Sequence, residues 1–216
     1  MFESPNYPTE PAQVEAFVRE QRHGTLVATP PDGHPLVSIL PFVKTGAVIE
    51  LHCVQADPTF DALRRNPRVT FLVSDYLTWT PHDFVDERDG GRATLHFRAV
   101  AYECDASWST DPADVAAALA RLLAAYEPDG TYEPLRDGDF YGARLRRLAA
   151  LRLDVRATRA KFKVGPAVPA PRKREVARRI RARGRPEDAR AADVIEASLT
   201  GTEPSAGGSA ERARSS

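Results

Sequence analysis

The chain is poor in the residues that announce a chemistry. Its 216 residues include only two cysteines, Cys53 and Cys104, and no Cys-x-x-Cys pair. That argues against a disulfide-stapled scaffold and a cysteine-built zinc site. One bridge between the two is compatible with the count, but two reduced, packed thiols are the simpler reading. The five histidines, His23, His34, His52, His82 and His96, share no metal-ligand spacing, so no metal is expected. No apolar run approaches the roughly 20 residues of a membrane span. The opening MFESPNYPTEP has neither a basic nor an apolar signal region, and a cytoplasmic protein is expected. Charge of one sign is also missing: 30 Lys+Arg balance 30 Asp+Glu. A grip of the whole chain on nucleic acid is therefore excluded, and any such role has to come from a local patch. There is no Gly-rich phosphate loop, no GxSxG and no nucleophile–base motif.

What is present is a set of short apolar runs divided by turn residues. Leu36–Leu40, Val48–Cys53 and Arg68–Val73 read as strands, with Lys44-Thr45-Gly46 as a turn. Asp57-Pro58 and Asp111-Pro112 each open a helix, because Asp caps the free N–H groups and Pro at the first helical position gives up no bond. Asn66-Pro67 stops the first of these helices. Val14, Phe17 and Val18 mark an amphipathic helix over about residues 11–21. Gly24–Thr29, Tyr76–Thr80, Arg92–Cys104 and Leu151–Ala157 are further expected strands, with a short helix over about residues 139–148. In the long strand Leu95, Phe97, Ala99 and Ala101 alternate with Thr94, His96, Arg98 and Val100. The fold class expected is mainly β with peripheral α-helices, a closed antiparallel barrel. The expected divisions are a barrel domain over residues 1–165, a proline-rich linker and C-terminal helices over 166–199, and a disordered tail over 200–216.

Several segments together carry a resemblance. They are the amphipathic helix, His23-Gly24-Thr25-Leu26-Val27, Leu40-Pro41, His52 before the Pro58-led helix, and Ala160-Lys161-Phe162-Lys163-Val164. Over about residues 1–165 the chain resembles the PaiB-type FMN-binding negative transcriptional regulators, a branch of the flavin-reductase-like and pyridoxamine-phosphate-oxidase-like split barrels. The resemblance implies a homodimeric split β-barrel with FMN, a small-molecule ligand, at the dimer interface. It assigns cofactor binding to His52, Gln55, Thr59, Lys161 and Lys163. The chain departs from the family pattern at the phosphate turn, where a cation has become Gln55 and a neutral cap has become Asp57. A carboxylate there repels a phosphate and takes the N–H groups a phosphate would use. Two family tryptophans are also missing, near Thr80–Phe84 and Thr94–Phe97.

Catalytic groups are not identified by any motif. His82 with the adjacent Asp83, and His96 on the long strand, are the weak candidates for acid–base work. The leading expectation is a flavin-linked redox or regulatory protein. One rival is an enzyme of small-molecule metabolism, flavin-dependent or cofactor-free, using a remodelled barrel pocket. Another is a DNA-binding repressor acting through Arg178, Arg179, Arg181, Arg183 and Arg185, although no helix-turn-helix is apparent in which to seat a reading helix. Val176 and Ile180 give that segment only a narrow apolar face, as in a docking helix with a solvated outer side.

Overall fold

The computed structural model describes residues 6–200; Met1–Pro5 of the extended N-terminal stretch and residues 201–216 of the expected tail lie outside it. In chain order the helices are α1 (Pro11–Glu20), α2 (Pro58–Arg65), α3 (Pro112–Tyr126), α4 (Gly142–Leu145), α5 (Ala170–Arg183) and α6 (Asp188–Thr200). The strands are β1 (Gly24–Ala28), β2 (Leu36–Leu40), β3 (Val43–Thr45), β4 (Val48–Val54), β5 (Arg68–Thr80), β6 (Thr94–Ser109) and β7 (Leu148–Lys163). They form one antiparallel sheet in the order β2-β1-β5-β6-β7-β4-β3. At its seam β2 comes back to β4.

The chain falls into two compact units that do not follow chain order. One takes the chain up to Asp75 and then Arg98–Phe162; the other takes Tyr76–Phe97 and the chain from Lys163 onward. In the first unit Leu26, Phe71, Val73, Ile49, Leu51 and Leu153 are buried together in the barrel. Each such side chain contributes about 1.5–3 kcal/mol by leaving water. Gly24 is required by close packing: a Cβ there would lie 2.3 Å from the Phe71 ring. Helix α1 lays Val14, Phe17 and Val18 onto this core, with Phe17 edge-on to Phe162 at 5.1 Å. The Asp-Pro starts behave as the sequence requires. Asp57 accepts from Thr59 N and Asp111 from Ala113 N, both at 2.8 Å.

Several expected boundaries shift. Arg68–Val73 and Tyr76–Thr80 are one continuous strand, the Lys44–Gly46 turn is partly the short strand β3, and β6 runs on to Ser109. The helix expected over about 139–148 is only Gly142–Leu145, and β7 starts at Leu148 and runs on to Lys163. The long strand β6 also corrects the alternation. Its buried face is the one carrying His96, Arg98, Val100, Tyr102 and Cys104, while Leu95 is 40% exposed. Arg98 can lie inside because Asp75 takes its guanidinium at 2.7 Å and the Phe17 ring lies 4.5 Å beneath it. Both cysteines are free and buried.

In the second unit α5 and α6 pack through Val176, Ala177, Ile180, Ala191, Ala192 and Ile195, all fully buried. Gly184, at φ +78, ends α5 in the left-handed conformation glycine tolerates. Fully buried Asp188 accepts from Thr78, from the Arg183 guanidinium and from Arg185 N. Of the stretch expected as a linker, Pro166 is buried while Ala167, Pro169 and Ala170 are exposed, and α5 already begins at Ala170.

Candidate functional site

The α2 N-terminus is the expected phosphate dock. Oδ1 of Asp57 takes the Thr59 N–H at 2.8 Å, and Oδ2 takes the Ser38 hydroxyl at 2.9 Å. The Ser38 proton is thereby used, so at 2.8 Å the Thr59 hydroxyl donates to Ser38 oxygen. Thr59 is 3% exposed. Gln55 is committed as well: its side-chain NH2 donates to the carbonyls of Arg146 at 3.0 Å and Leu148 at 2.8 Å. The Thr59 N–H, the Ser38 and Thr59 hydroxyls and the Gln55 amide are therefore engaged, and the Asp57 carboxylate stands among them. The α2 N-terminus does not fit a phosphate. Ser38 escaped the sequence reading; the available signal was a lone hydroxyl at an inward position between Leu36 and Leu40.

The other proposed cofactor residues lie apart along the sheet. His52 is half-buried on β4 opposite Ala150, and burial pushes its pKa below the usual 6.5. Val54, at the α2 end of β4, pairs with Leu148, whereas Lys161 is thirteen residues further along β7. At about 3.3 Å per residue that is about 40 Å of extended chain. Lys161 and the α2 turn thus sit at opposite ends of the same strand. Lys163 belongs to the second unit. Sequence spacing set the two lysines side by side but could not bring Lys161 to α2.

Among the acid–base candidates, His82 and Asp83 lie in a single 3-10 turn, His82–Phe84. The Asp83 carboxylate faces Arg179 at 3.1 Å, and Arg179 also takes the Asp83 carbonyl and stacks 4.2 Å from the Phe84 ring. His96 is fully buried; its Nε2 lies 2.7 Å from the Thr80 hydroxyl. Its Nδ1 is buried with no hydrogen bond of good geometry. Burial pushes the His96 pKa down to about 4, the Lys163 backbone acts in the opposite direction, and the charges of Lys163 and Lys173 lower it further. A neutral ring sealed from solvent has no path for exchanging protons with a substrate.

The arginine-rich segment is largely neutralised from within. Arg178 holds Glu175 at 2.7 Å, Arg181 holds Asp193 and Glu196, and Arg183 holds Asp188 and the Trp79 carbonyl. Among the described residues no three His, Cys, Asp or Glu side chains gather to hold a metal, and no helix is long and apolar enough to cross a membrane.

A curled antiparallel sheet with a helix crossing from β4 to β5 defines the split-barrel class of flavin-binding folds. Residues 1–157 match the family described as "Putative FMN-binding domain". The chain belongs to that family, and FMN or a related flavin is its cofactor. Solved structures agree on the fold. The chain is similar to the flavocytochrome Anf3 of Azotobacter vinelandii, at 19% identity and TM-score 0.58 over 78% of this chain and 79% of that one. It is also similar to the FAD and haem binding protein of Mycobacterium smegmatis, at 18% identity and TM-score 0.57 over 83% and 81%. A conserved hypothetical protein of Mycobacterium tuberculosis matches at 21% identity and TM-score 0.54 over 76% and 91%. No curated protein matches the sequence.

Proposed function

We propose that this protein is a flavin carrier with a redox role, working as a homodimer. The family match over residues 1–157 carries this reading. The Asp57 carboxylate at the α2 turn, holding the Thr59 N–H and the Ser38 hydroxyl, argues that a flavin phosphate finds its counter-charge elsewhere, and Lys161 and Lys163 are the cations proposed for it. His52 remains the candidate to meet the ring system. Gln55 and Thr59 act by holding the turn rather than by touching the cofactor, since the Gln55 NH2 and the Thr59 hydroxyl proton are already used. If His52 and Lys161 serve one flavin, the length of β7 between them calls for a second copy of the chain to complete the site. The internal pairing of Arg178, Arg179, Arg181 and Arg183 favours this reading over a duplex-binding repressor.

The test is a titration of the purified chain with FMN and with riboflavin, followed through the flavin's absorption and fluorescence. FMN is expected to bind at least about tenfold more tightly, on the scale of a charge-assisted contact. That margin disappears in Lys161→Ala/Lys163→Ala. A protein that takes up neither flavin overturns the proposal. Reduction of the bound flavin by a nicotinamide donor no faster than that of free FMN removes the redox role alone.

A further inference from the structure

The C-terminal end of α1, strand β3 and the last turn of α3 line an open cleft of about 530 Å³. That is within the range that holds small molecules. Its walls are pinned at one atom. The Tyr126 hydroxyl on α3 accepts the Phe42 N–H at 3.2 Å and lies within bonding distance of the Arg22 and Phe42 carbonyls, one of which takes its proton. Three elements remote in sequence are thus fixed around the space.

The lining is unbalanced. Arg19, Arg22 and Lys44 face one carboxylate, Glu15. Glu15 is engaged with Lys44 at 2.8 Å, and the Lys44 side chain is only 9% exposed. The Arg19 and Arg22 guanidinium groups have no carboxylate partner among the described residues. Arg22 lies over the Tyr126 ring at 5.3 Å, which orders the fork at the cleft wall. Lys44 Nζ lies 5.8 Å from the Tyr102 ring, whose hydroxyl is buried and unpartnered. Arg19 lies in the last turn of α1, where a cation complements the helix dipole only weakly. The dipole accounts for neither Arg22, which lies beyond the helix, nor the cleft.

We propose that this cleft is a second ligand site that takes a small, doubly charged oxyanion on the Arg19 and Arg22 forks, with Lys44 as a fixed charge beside them. Guanidinium groups match the paired oxygens of phosphate and carboxylate alike. Arg19 and Arg22 are exposed at the mouth of the cleft, and a phosphate monoester or a dicarboxylate matches the two positive charges left beside the Lys44–Glu15 pair. The site lies within the first unit and does not depend on the flavin reading.

The experiment is calorimetric titration of the full chain with inorganic phosphate and with malonate, against sodium chloride at matched ionic strength. At least one anion is expected to saturate, and Arg19→Gln/Arg22→Gln weakens it at least tenfold while flavin uptake is unchanged. Phosphate alone saturating identifies the monoester class, malonate alone the dicarboxylates, and both the shared oxyanion chemistry. Circular dichroism secures the fold of the variant, and Arg19→Gln alone serves if the pair fails to fold. Neither anion saturating beyond chloride, or a variant that binds as tightly as the parent, overturns the proposal.

Discussion

His96 turns its environment into a dependence on pH. In the fold its pKa is pushed down to about 4, chiefly by burial, against 6.5 for an unhindered histidine. Between those values the unfolded chain binds the proton and the folded chain does not. The stability His96 allows is therefore complete above pH 6.5 and is lost as pH falls toward 4, by up to about 3 kcal/mol. His52 titrates in the same direction, its pKa also lowered by burial. Asp188, held below the usual carboxylate range by Arg183, keeps its contribution until pH drops below 3.8. Melting of the parent between pH 7 and 4 should fall more steeply than that of His96→Gln; parallel curves would show that the ring is not the sensor. Asp75 is the second residue with a defined cost. Its removal leaves the Arg98 guanidinium, 8% exposed, beside only Glu20 at 3.4 Å and the Phe17 face. Asp75→Ala is expected to lose about 3–5 kcal/mol in denaturant unfolding, whereas Asp75→Leu/Arg98→Met recovers most of it.

Helix α2 separates what a cap does for folding from what it denies a ligand. Asp57→Ala removes the acceptor for both Thr59 N and the Ser38 hydroxyl, at a cost of about 1–2 kcal/mol. Asp57→Asn keeps a good cap and removes the charge. If the α2 turn is not the phosphate dock, FMN affinity in Asp57→Asn stays within about threefold of the parent; a tenfold gain would put the phosphate there after all. The helix itself was legible in the sequence, because Asp-Pro at its start and Asn-Pro after it are local signals. The same holds for the Asp111-Pro112 start of α3. The face of β6 was not legible. Its alternation was visible, but the side that turns inward was decided by Asp75 and Thr80, residues 16 or more positions away that make a buried arginine and histidine tolerable. Closure of the site was half legible: Asp57 announced the conflict with a phosphate, but only the fold shows Gln55 held by Arg146 and Leu148. Helix α5 illustrates the same limit. Its arginines looked available for DNA, but Arg181 finds its carboxylate partners on α6, 12 and 15 residues on. No salt-dependent retardation of duplex DNA is expected even at low salt.

At the scale of the whole molecule the question is what covers β2. This strand ends the sheet order, and its outward Val37 and Ile39 are 59% and 69% exposed, while Leu36 and Leu40 pack on the core. Two β-branched side chains side by side in water are a poor surface for a monomer and a good centre for a self-complementary interface. The flavin proposal asks for a second copy on independent grounds, since His52 and Lys161 lie toward opposite ends of β7. The two demands meet in one variant. Val37→Lys/Ile39→Lys places like charges on the face that a twofold interface would bring together, and it leaves the inward side of β2 untouched. Light scattering at micromolar concentration should give a dimer for the parent and a monomer for the variant, with far-UV dichroism unchanged. Flavin affinity should fall with the dimer. A parent that is monomeric while it binds flavin would show that one chain completes the site. A monomeric variant that keeps full affinity would show that the interface and the cofactor are separate matters.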